Sequence, residues 1–433
     1  MAIDSDYVQQ MATQLAQYDI QAGQVRAQRN QKRYDTELKA VNDLKSALNK
    51  FNSATKALKG VGTNSSMLVN KATFSSEGAA TATASASAVS GSYQFYVEKL
   101  ASKDQIALKL TDADLNGTLS LGQNGEAFNI DMSAISSLDD LAKAINDAET
   151  NTGIKATLVR SGGDVNLVLT SEKSGDAQKI DTLSINGVAI DEADSRFTRL
   201  STAQDALVYL GGENGVELRS DSNTFDEAIA GVSLTFNKVT GPDDELLTLD
   251  VARDDSATKD KVQSFIDAYN TLMTSIGGLT SSGGEGSTRG PLAGDAGVLA
   301  IKSRINGLLR NDSFVGSSLI NFGIAATSDG KLSLDATAFD KAMAANGDAF
   351  DKLFTGKGNL VDSLDTAIKA YTSAGNGLLT SRADSINEKL GRINDDFDAL
   401  QARYDSSYAR YLKQYTNLMQ VMTSMEQTTT MFL

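Results

Sequence analysis

The chain has 433 residues, of which 41% are hydrophobic, and this suits about two to four domains with packed cores. It contains no Cys and no His, which excludes disulfides, thiolate chemistry and cysteine zinc sites and removes the commonest general base. The formal net charge of −15 argues against binding to nucleic acid.

The sequence gives no reason to expect membrane insertion. No apolar run approaches the roughly 18 residues that a membrane span requires. The first six residues have neither a basic nor an apolar segment and do not resemble a secretory signal. We therefore expect a protein that is cytoplasmic or that leaves the cell by a route without a cleaved signal.

Residues 5–59 have the apolar spacing of a helix, which Gly60 and Gly62 are expected to end. Its second half repeats apolar residues at alternating steps of three and four, the pattern of a coiled-coil seam. The first apolar stripe is Tyr7, Met11, Leu15 and Tyr18, and the second is Val41, Leu44, Leu48, Phe51, Thr55 and Leu58.

Part of this helix is basic although the chain as a whole is acidic. Residues 26–59 hold nine basic and three acidic side chains, a net charge of 9 − 3 = +6. Such a run is either a solvated helix face or a surface that attracts an acidic partner, for example the acidic region of another copy.

Residues 72–253 are rich in Thr, Ser, Ala, Val and Gly and predict a β-rich middle. Residues 81–97 indicate a hairpin, and Ser137 begins a short helix with Leu138, Leu141, Ala142 and Ile145 on one side. A second hairpin is expected over 156–169, around Gly162 and Gly163. Further strands are predicted at 183–190, 215–219, 232–238 and 246–252.

The helical period returns at residue 254. Helices are predicted at 254–276 and 295–310, separated by a Gly/Ser-rich loop. A hairpin turns at Asp329-Gly330, and helices follow near 335–346, 347–354 and 358–374.

The C-terminal segment repeats the seam pattern from Ile386 onward and ends in a Met-rich surface over 418–433. That surface is either core filler or an intermolecular contact. Because each terminal helix needs a partner, we predict that residues 34–59 and 386–415 pack antiparallel. The residues predicted for stalk packing or an oligomer interface are Val41, Leu44, Leu48, Phe51, Leu58, Leu390, Ile393, Phe397, Leu400, Tyr404, Met422 and Met425.

The predicted fold class is α+β: a helical stalk made from both chain ends plus internal helices, with one or two inserted β-rich head domains. The expected organisation is 1–65 (stalk or leg helices), 72–104 and 201–253 (two parts of a β-rich head domain), 105–200 (an inserted α+β head domain), 254–380 (a helical leg domain with a β-hairpin) and 381–433 (the C-terminal stalk helix).

No motif for catalysis, a cofactor or a metal is found in the sequence. The glycines at 283–286 lack the Lys-Ser or Lys-Thr of a P-loop, and the acidic runs at 243–245 and 254–255 lack the spacing of a calcium loop. Without His, a conventional catalytic triad cannot be built. A structural protein is therefore favoured over an enzyme.

Four short motifs then carry a family resemblance. They are LKSALNKF at 44–51, FIDAYN at 265–270, GI at 323–324 with DGKLSLD at 329–335 and LF at 353–354, and RY at 403–404. With these motifs in this order, the chain resembles the flagellar filament cap protein family, also called hook-associated protein 2, over essentially its full length.

The resemblance implies a structural cap at the extracellular tip of the growing bacterial flagellar filament, which promotes ordered insertion of exported flagellin. Such caps are homo-oligomeric rings with plate-forming heads and leg helices among flagellin subunits, and they are secreted by flagellar type III export. The implied partners are flagellin, hook–filament junction proteins and an export chaperone before secretion.

Two alternatives remain open. One is another axial flagellar protein, either flagellin or a hook–filament junction protein. The other is a surface adhesin or carbohydrate-binding module built on the middle domains, because some family members are described as adhesins.

Overall fold

The computed structural model describes residues 5–59, 66–284, 286, 288–310 and 317–431. It contains two compact units, each considered by itself. The helical unit combines Met1–Met67 with Thr258–Leu433, and the β-rich unit is Leu68–Ala257. Helices built from both chain ends, with β-rich structure inserted between them, confirm the predicted α+β fold class.

The described residues form seven α-helices and eighteen β-strands. The helices are α1 (Ser5–Lys59), α2 (Leu138–Asp147), α3 (Asp255–Thr280), α4 (Ala296–Leu309), α5 (Ala336–Phe354), α6 (Leu360–Thr372) and α7 (Leu378–Met431). The strands are β1 (Asn70–Phe74), β2 (Ala80–Ala84), β3 (Gly91–Lys99), β4 (Gln105–Leu108), β5 (Thr118–Gln123), β6 (Glu126–Asp131), β7 (Ile154–Ser161), β8 (Asp164–Ser171), β9 (Ile180–Ile185), β10 (Val188–Ala189), β11 (Phe197–Ser201), β12 (Ala206–Leu210), β13 (Val216–Ser220), β14 (Thr224–Ile229), β15 (Val232–Phe236), β16 (Leu247–Arg253), β17 (Ile324–Ala326) and β18 (Leu332–Leu334).

In the helical unit, α1 and α7 run antiparallel as one long pair. Lys45 donates to Thr380 across the pair, and Asp19 accepts from Ser407, so residue numbers fall in α1 as they rise in α7. The shorter helices α3 to α6 and the β17–β18 hairpin form the compact part of the unit. No helix in the described part of the chain combines the length and apolarity of a membrane span.

The β-rich unit has two hydrophobic cores. The first lies between a five-stranded sheet, ordered β1-β16-β3-β12-β13, and a three-stranded sheet, β14-β15-β2, with Phe95 and Phe236 fully buried. The second lies among the sheets β10-β9-β5-β6 and β11-β4-β8-β7 and the buried face of α2. The chain enters the second core after β3 and returns to the first at β12.

Several local predictions are confirmed. Ser137 caps α2 by accepting from the Asp140 amide at 3.2 Å, and the four predicted apolar residues of α2 are buried. The β7–β8 hairpin turns at Gly162-Gly163, and the β17–β18 hairpin turns around Asp329-Gly330. The predicted helices at 254–276 and 295–310 correspond to α3 and α4.

Two strand predictions are wrong. The residues predicted as a hairpin over 81–97 form β2 and β3, which lie in different sheets, because β2 pairs with β15 while β3 lies between β16 and β12. The predicted strand 183–190 is a hairpin of β9 and β10, since Asn186 and Gly187 both have positive φ and turn the chain. The predicted helix end at Gly60 and Gly62 and residue Glu285 of the Gly-rich loop lie outside the described residues.

A buried ion pair lies where the chain passes between the two cores of the β-rich unit. The Asp104 side chain is fully buried, and its carboxylate accepts from the Arg199 guanidinium. The same carboxylate accepts from the backbone amides of Ile180 at 2.8 Å and Ala203 at 3.2 Å. These bonds connect the segment that leaves the first core and the segment that returns to it with β9. The connection between the two cores is therefore hydrogen-bonded and not a flexible linker.

We expect Asp104→Asn to lower the free energy of unfolding of the β-rich unit by about 3–5 kcal/mol, because it removes the buried counter-charge of a largely buried guanidinium and leaves it only the exposed Glu192, at 3.4 Å. Hydrogen exchange of peptides from β9 and β11 in the full chain measures this. The control is Asp164→Asn, whose pair with Lys109 is exposed, with an expected cost below about 1 kcal/mol. Equal effects of the two substitutions would contradict the role given to Asp104.

Candidate assembly site on the paired terminal helices

The first half of α1 packs through small residues. Val8, Ala12, Ala16 and Ile20 are buried, at steps of four. The predicted stripe of Tyr7, Met11, Leu15 and Tyr18 is one residue out of phase, and Tyr18 is 76% exposed. That prediction is wrong because the largest side chains lie at the flank of the contact, whereas alanines at its centre allow two helices to approach closely.

Gly23 marks a close approach of α1 and α7. A Cβ atom built on Gly23 would lie 2.7 Å from Leu400 Cδ2, so glycine leaves the space that the leucine fills. Leu400 and Tyr404 are half-buried in this part of α7, and Ile393 is 6% exposed. This contact fixes the register of the two helices.

The second half of α1 changes partner. Val41, Leu44, Leu48 and Phe51 are buried as a continuous stripe. The Phe51 ring, however, lies 6.1 Å from that of Phe265 in α3, measured between centroids. Phe51 therefore packs in the compact part of the unit.

The predicted pairing of residues 34–59 with 386–415 is therefore wrong in its register. Lys45 lies opposite Thr380, near the start of α7, and Asn52 and Lys56 contact Asp365 of α6 instead. Periodicity identified the apolar faces but not which helix covers each one.

The structure places the twelve predicted packing residues in three settings. Five are buried, five are half-buried and two are exposed. The buried residues are Val41, Leu44, Leu48, Phe51 and Ile393; the half-buried ones are Leu58, Leu390, Phe397, Leu400 and Tyr404; the exposed ones are Met422 and Met425. Their role in an oligomer stays a prediction.

Polar contacts that the apolar pattern did not reveal also hold the pair together. Asp19 accepts from Ser407 at 3.1 Å, and from Arg410 and Tyr411 at 3.2 Å each. Further along, the Arg382 guanidinium donates to Glu37 at 2.8 Å and to Asp295 at 2.5 Å. Charge-assisted bonds of this kind specify geometry as well as adding stability.

Asp365 of α6 binds polar side chains near the C-terminal end of α1. Burial alone would disfavour its charged form, but hydrogen bonds from Lys56, Asn52 and Lys369 outweigh it and lower the pKa of Asp365 to about 2. The three donor nitrogens lie 2.8–2.9 Å from the carboxylate oxygens. The link that Asp365 makes between α1 and α6 is therefore strongest while its carboxylate is ionised.

The end of α7 is exposed in the described part of the chain. Residues 420–429 are all exposed, although they include apolar side chains. Leu418 is 45% exposed, Val421 57%, Met422 40% and Met425 64%. Core filler within the chain is therefore the wrong interpretation for these residues. Met431, Phe432 and Leu433 belong to the same predicted surface, but their side chains lie outside the described residues.

This geometry provides long apolar and charged surfaces. Within the described ranges, no group of three or more carboxylates is placed to hold a metal ion. The surfaces suit contact with other protein helices, which bind through apolar stripes and complementary charge.

Comparison with known protein families shows to which family this chain belongs. The sequence model of the flagellar hook-associated protein 2 C-terminus matches residues 203–427, which is 225 of 433 residues. The chain belongs to the flagellar hook-associated protein 2 family. The model of the family's N-terminus matches residues 7–104, and that of the flagellin hook IN motif matches 118–173.

Individual relatives agree with this assignment. The lateral flagellar hook-associated protein 2 of Vibrio parahaemolyticus is 34% identical over 75% of this chain and 76% of its own length. The B-type flagellar hook-associated protein 2 of Pseudomonas aeruginosa is 31% identical over 83% of this chain and 80% of its own. The crystal structure of the D1-D2-D3 domains of the Escherichia coli flagellar cap protein FliD has a TM-score of 0.65 and 27% identity, and it covers 80% of this chain and 99% of that one.

This chain is therefore a structural component of the flagellum with the filament cap role, as the family resemblance implied. The relatives, and the family models that match residues 7–104 and 203–427, are those of hook-associated protein 2, and this disfavours the alternative of flagellin or a hook–filament junction protein. The adhesin alternative stays a prediction.

We expect Asp365→Asn to cost about 2 kcal/mol of unfolding free energy at pH 7, because the charge-assisted bonds from two lysines are lost. The folded pKa of about 2 lies below the ordinary value of 3.8, so the stabilisation is present above about pH 4 and is lost as the pH falls through 2. Chemical unfolding at pH 7 and pH 2 measures it. Asp43→Asn, in an exposed pair with Lys39, is the control; a difference that persisted at pH 2 would contradict the assignment.

We expect Gly23→Ala to be nearly neutral, because a helix gain of up to about 1 kcal/mol offsets displacement of Leu400. In a Leu400→Ala background the same substitution should stabilise by the full amount, since its Cβ then meets open space. A double-mutant cycle in thermal unfolding measures the coupling. A coupling near zero would mean that the two residues do not touch.

Proposed function

We propose that this protein caps the filament as a ring of identical copies, in which the α1–α7 pair serves as a leg and residues 72–253 form the plate. The observation that carries the proposal is the antiparallel pairing of the two chain ends, with a Met-rich helix end left exposed. A stalk with uncovered apolar surface at its tip suits insertion between other helical subunits. The proposed domains are those expected from the sequence.

The proposed partners follow from this position at the tip. The legs contact flagellin and, before the first flagellin is added, hook–filament junction proteins. An export chaperone covers the exposed end of α7 inside the cell, and the protein leaves by flagellar type III export to the extracellular tip. The role is one of assembly without catalysis, cofactor or nucleic-acid binding.

The exposed end of α7 suits contacts that must be made and broken as each subunit is added. Methionine side chains are flexible and polarisable, so Met422 and Met425 can pack on differing partner surfaces. Several weak contacts held in one ring can exchange one at a time while the cap stays attached.

We expect deletion of residues 419–433 to stop filament growth without unfolding the protein, because residues 420–429 are all exposed and so contribute little to the packed core. The truncated chain is expressed in cells that lack their own copy of the gene, and filament length is measured by electron microscopy. Circular dichroism tests folding.

Two full-length variants separate the effect of losing the apolar surface from the effect of shortening the chain. Val421→Ser with Met422→Gln and Met425→Gln removes the apolar stripe and should reproduce the loss. Gln420→Ser with Ser424→Gln changes neighbouring exposed positions and should leave growth normal. Normal filaments from the truncated chain would contradict the contact role of the tail.

A further inference from the structure

The outer face of α1 carries basic side chains over a defined length of the stalk. This basic face consists of Arg26, Arg29, Lys32 and Arg33, all exposed. None of the four forms an ion pair with another described residue. Arg29 lies two positions after the buried Ala27, which places it about 200° around the helix from the packed side.

The outer face of α7 is acidic. The acidic face consists of Asp384, Glu388, Asp395, Asp398 and Asp405, all exposed and unpaired with any described basic residue. With Gly391 and Ala402 they form a regular stripe at alternating steps of four and three. Glu388 and Asp395 each follow a buried isoleucine by two positions, so this stripe also points away from the packed side.

The two faces lie at the same level of the stalk. The Lys389 ammonium lies 5.4 Å from the Tyr34 ring centroid, and Gly23 meets Leu400. Residues 23–34 of α1 are therefore opposite 389–400 of α7, and both faces cross this interval. Since they are on opposite outer sides of the pair, they cannot neutralise each other within one chain.

We propose that the basic face of one stalk binds the acidic face of the stalk of a second copy. Copies related by rotation about an axis parallel to the stalk bring the two faces together at equal height. Each copy then uses one face for each neighbour, which is a heterologous contact that closes into a ring. The inference rests on the proposed ring and names the surfaces that hold it together. The first part of the basic run found in the sequence, from Arg26 to Arg33, thus meets an acidic region of another copy.

Charge reversal in the full chain tests this contact. The basic-reversed variant carries Arg26→Glu, Arg29→Glu and Arg33→Glu, and the acid-reversed variant carries Glu388→Lys, Asp395→Lys and Asp398→Lys. We expect each to weaken self-association about tenfold or more at low salt, because several opposed pairs become like-charge pairs. Sedimentation equilibrium measures association, and added salt should weaken the wild type.

The decisive variant combines all six substitutions. It exchanges the signs of the two faces, so complementarity returns and association should recover to near the wild-type level. Lys50→Glu with Lys341→Glu and Lys357→Glu makes the same change of net charge as the basic-reversed variant, at exposed positions away from the two faces, and should leave association unchanged. Circular dichroism verifies that each variant is folded.

The outcomes separate this inference from the proposed function. If the wild type self-associates but neither reversal weakens it, or the six-substitution variant does not recover, the paired faces are wrong while the ring stands. Loss of filament growth with association unchanged assigns the faces to a different partner and also overturns the inference. A wild type that stays monomeric at every concentration overturns the ring itself.

Discussion

Antiparallel packing of α1 on α7 is the constraint on which the rest of the helical unit depends. It joins residues as far apart as Asp19 and Ser407, which are 388 positions apart in sequence. Closing so long a loop has an entropic cost that grows only slowly with loop length, and a contact that continues from Lys45 to Asp19 offsets it. Once the ends are paired, the β-rich unit is an insertion between them, and α7 can extend beyond the contact as an exposed helix.

The helices were largely predictable from sequence because a 3.6-residue apolar period is a local property. Residues 5–59, the buried face of α3 and the Ser137 cap of α2 all follow from it. Two-residue glycine turns likewise fixed the β7–β8 hairpin. The choice of partner was not predictable in the same way. Alternation marked β2 and β3 as strands, yet each pairs with strands more than a hundred residues later, and nothing local encodes that choice.

In the candidate site, too, the features that depend on local periodicity were predictable and those that depend on the partner segment were not. The seam residues from Val41 to Phe51 were identified because large apolar side chains recur at the right spacing. The close contact at Gly23 was missed because it depends on the absence of a side chain, and Ala12 and Ala16 carry little hydrophobic signal. The Arg382 link to Glu37 and Asp295 joins three separate segments, so no sequence window contains it. The charge faces were partly visible, since the basic run was found, but its acidic counterpart needed the helix register to be recognised.

An introduced disulfide tests the central pairing most directly, because the chain has no native Cys. Gly23→Cys with Leu400→Cys places two thiols at the close contact of α1 and α7, where a Cβ on residue 23 lies 3.7 Å from Leu400 Cγ, near the position that the second sulfur would take. Gly23→Cys with Asp384→Cys is the control, with the second thiol about 24 Å further along α7. The account predicts rapid oxidation of the first pair within single chains, in solution and in assembled caps, and none of the control. Absence of that bond, or bonds only between chains, would contradict it.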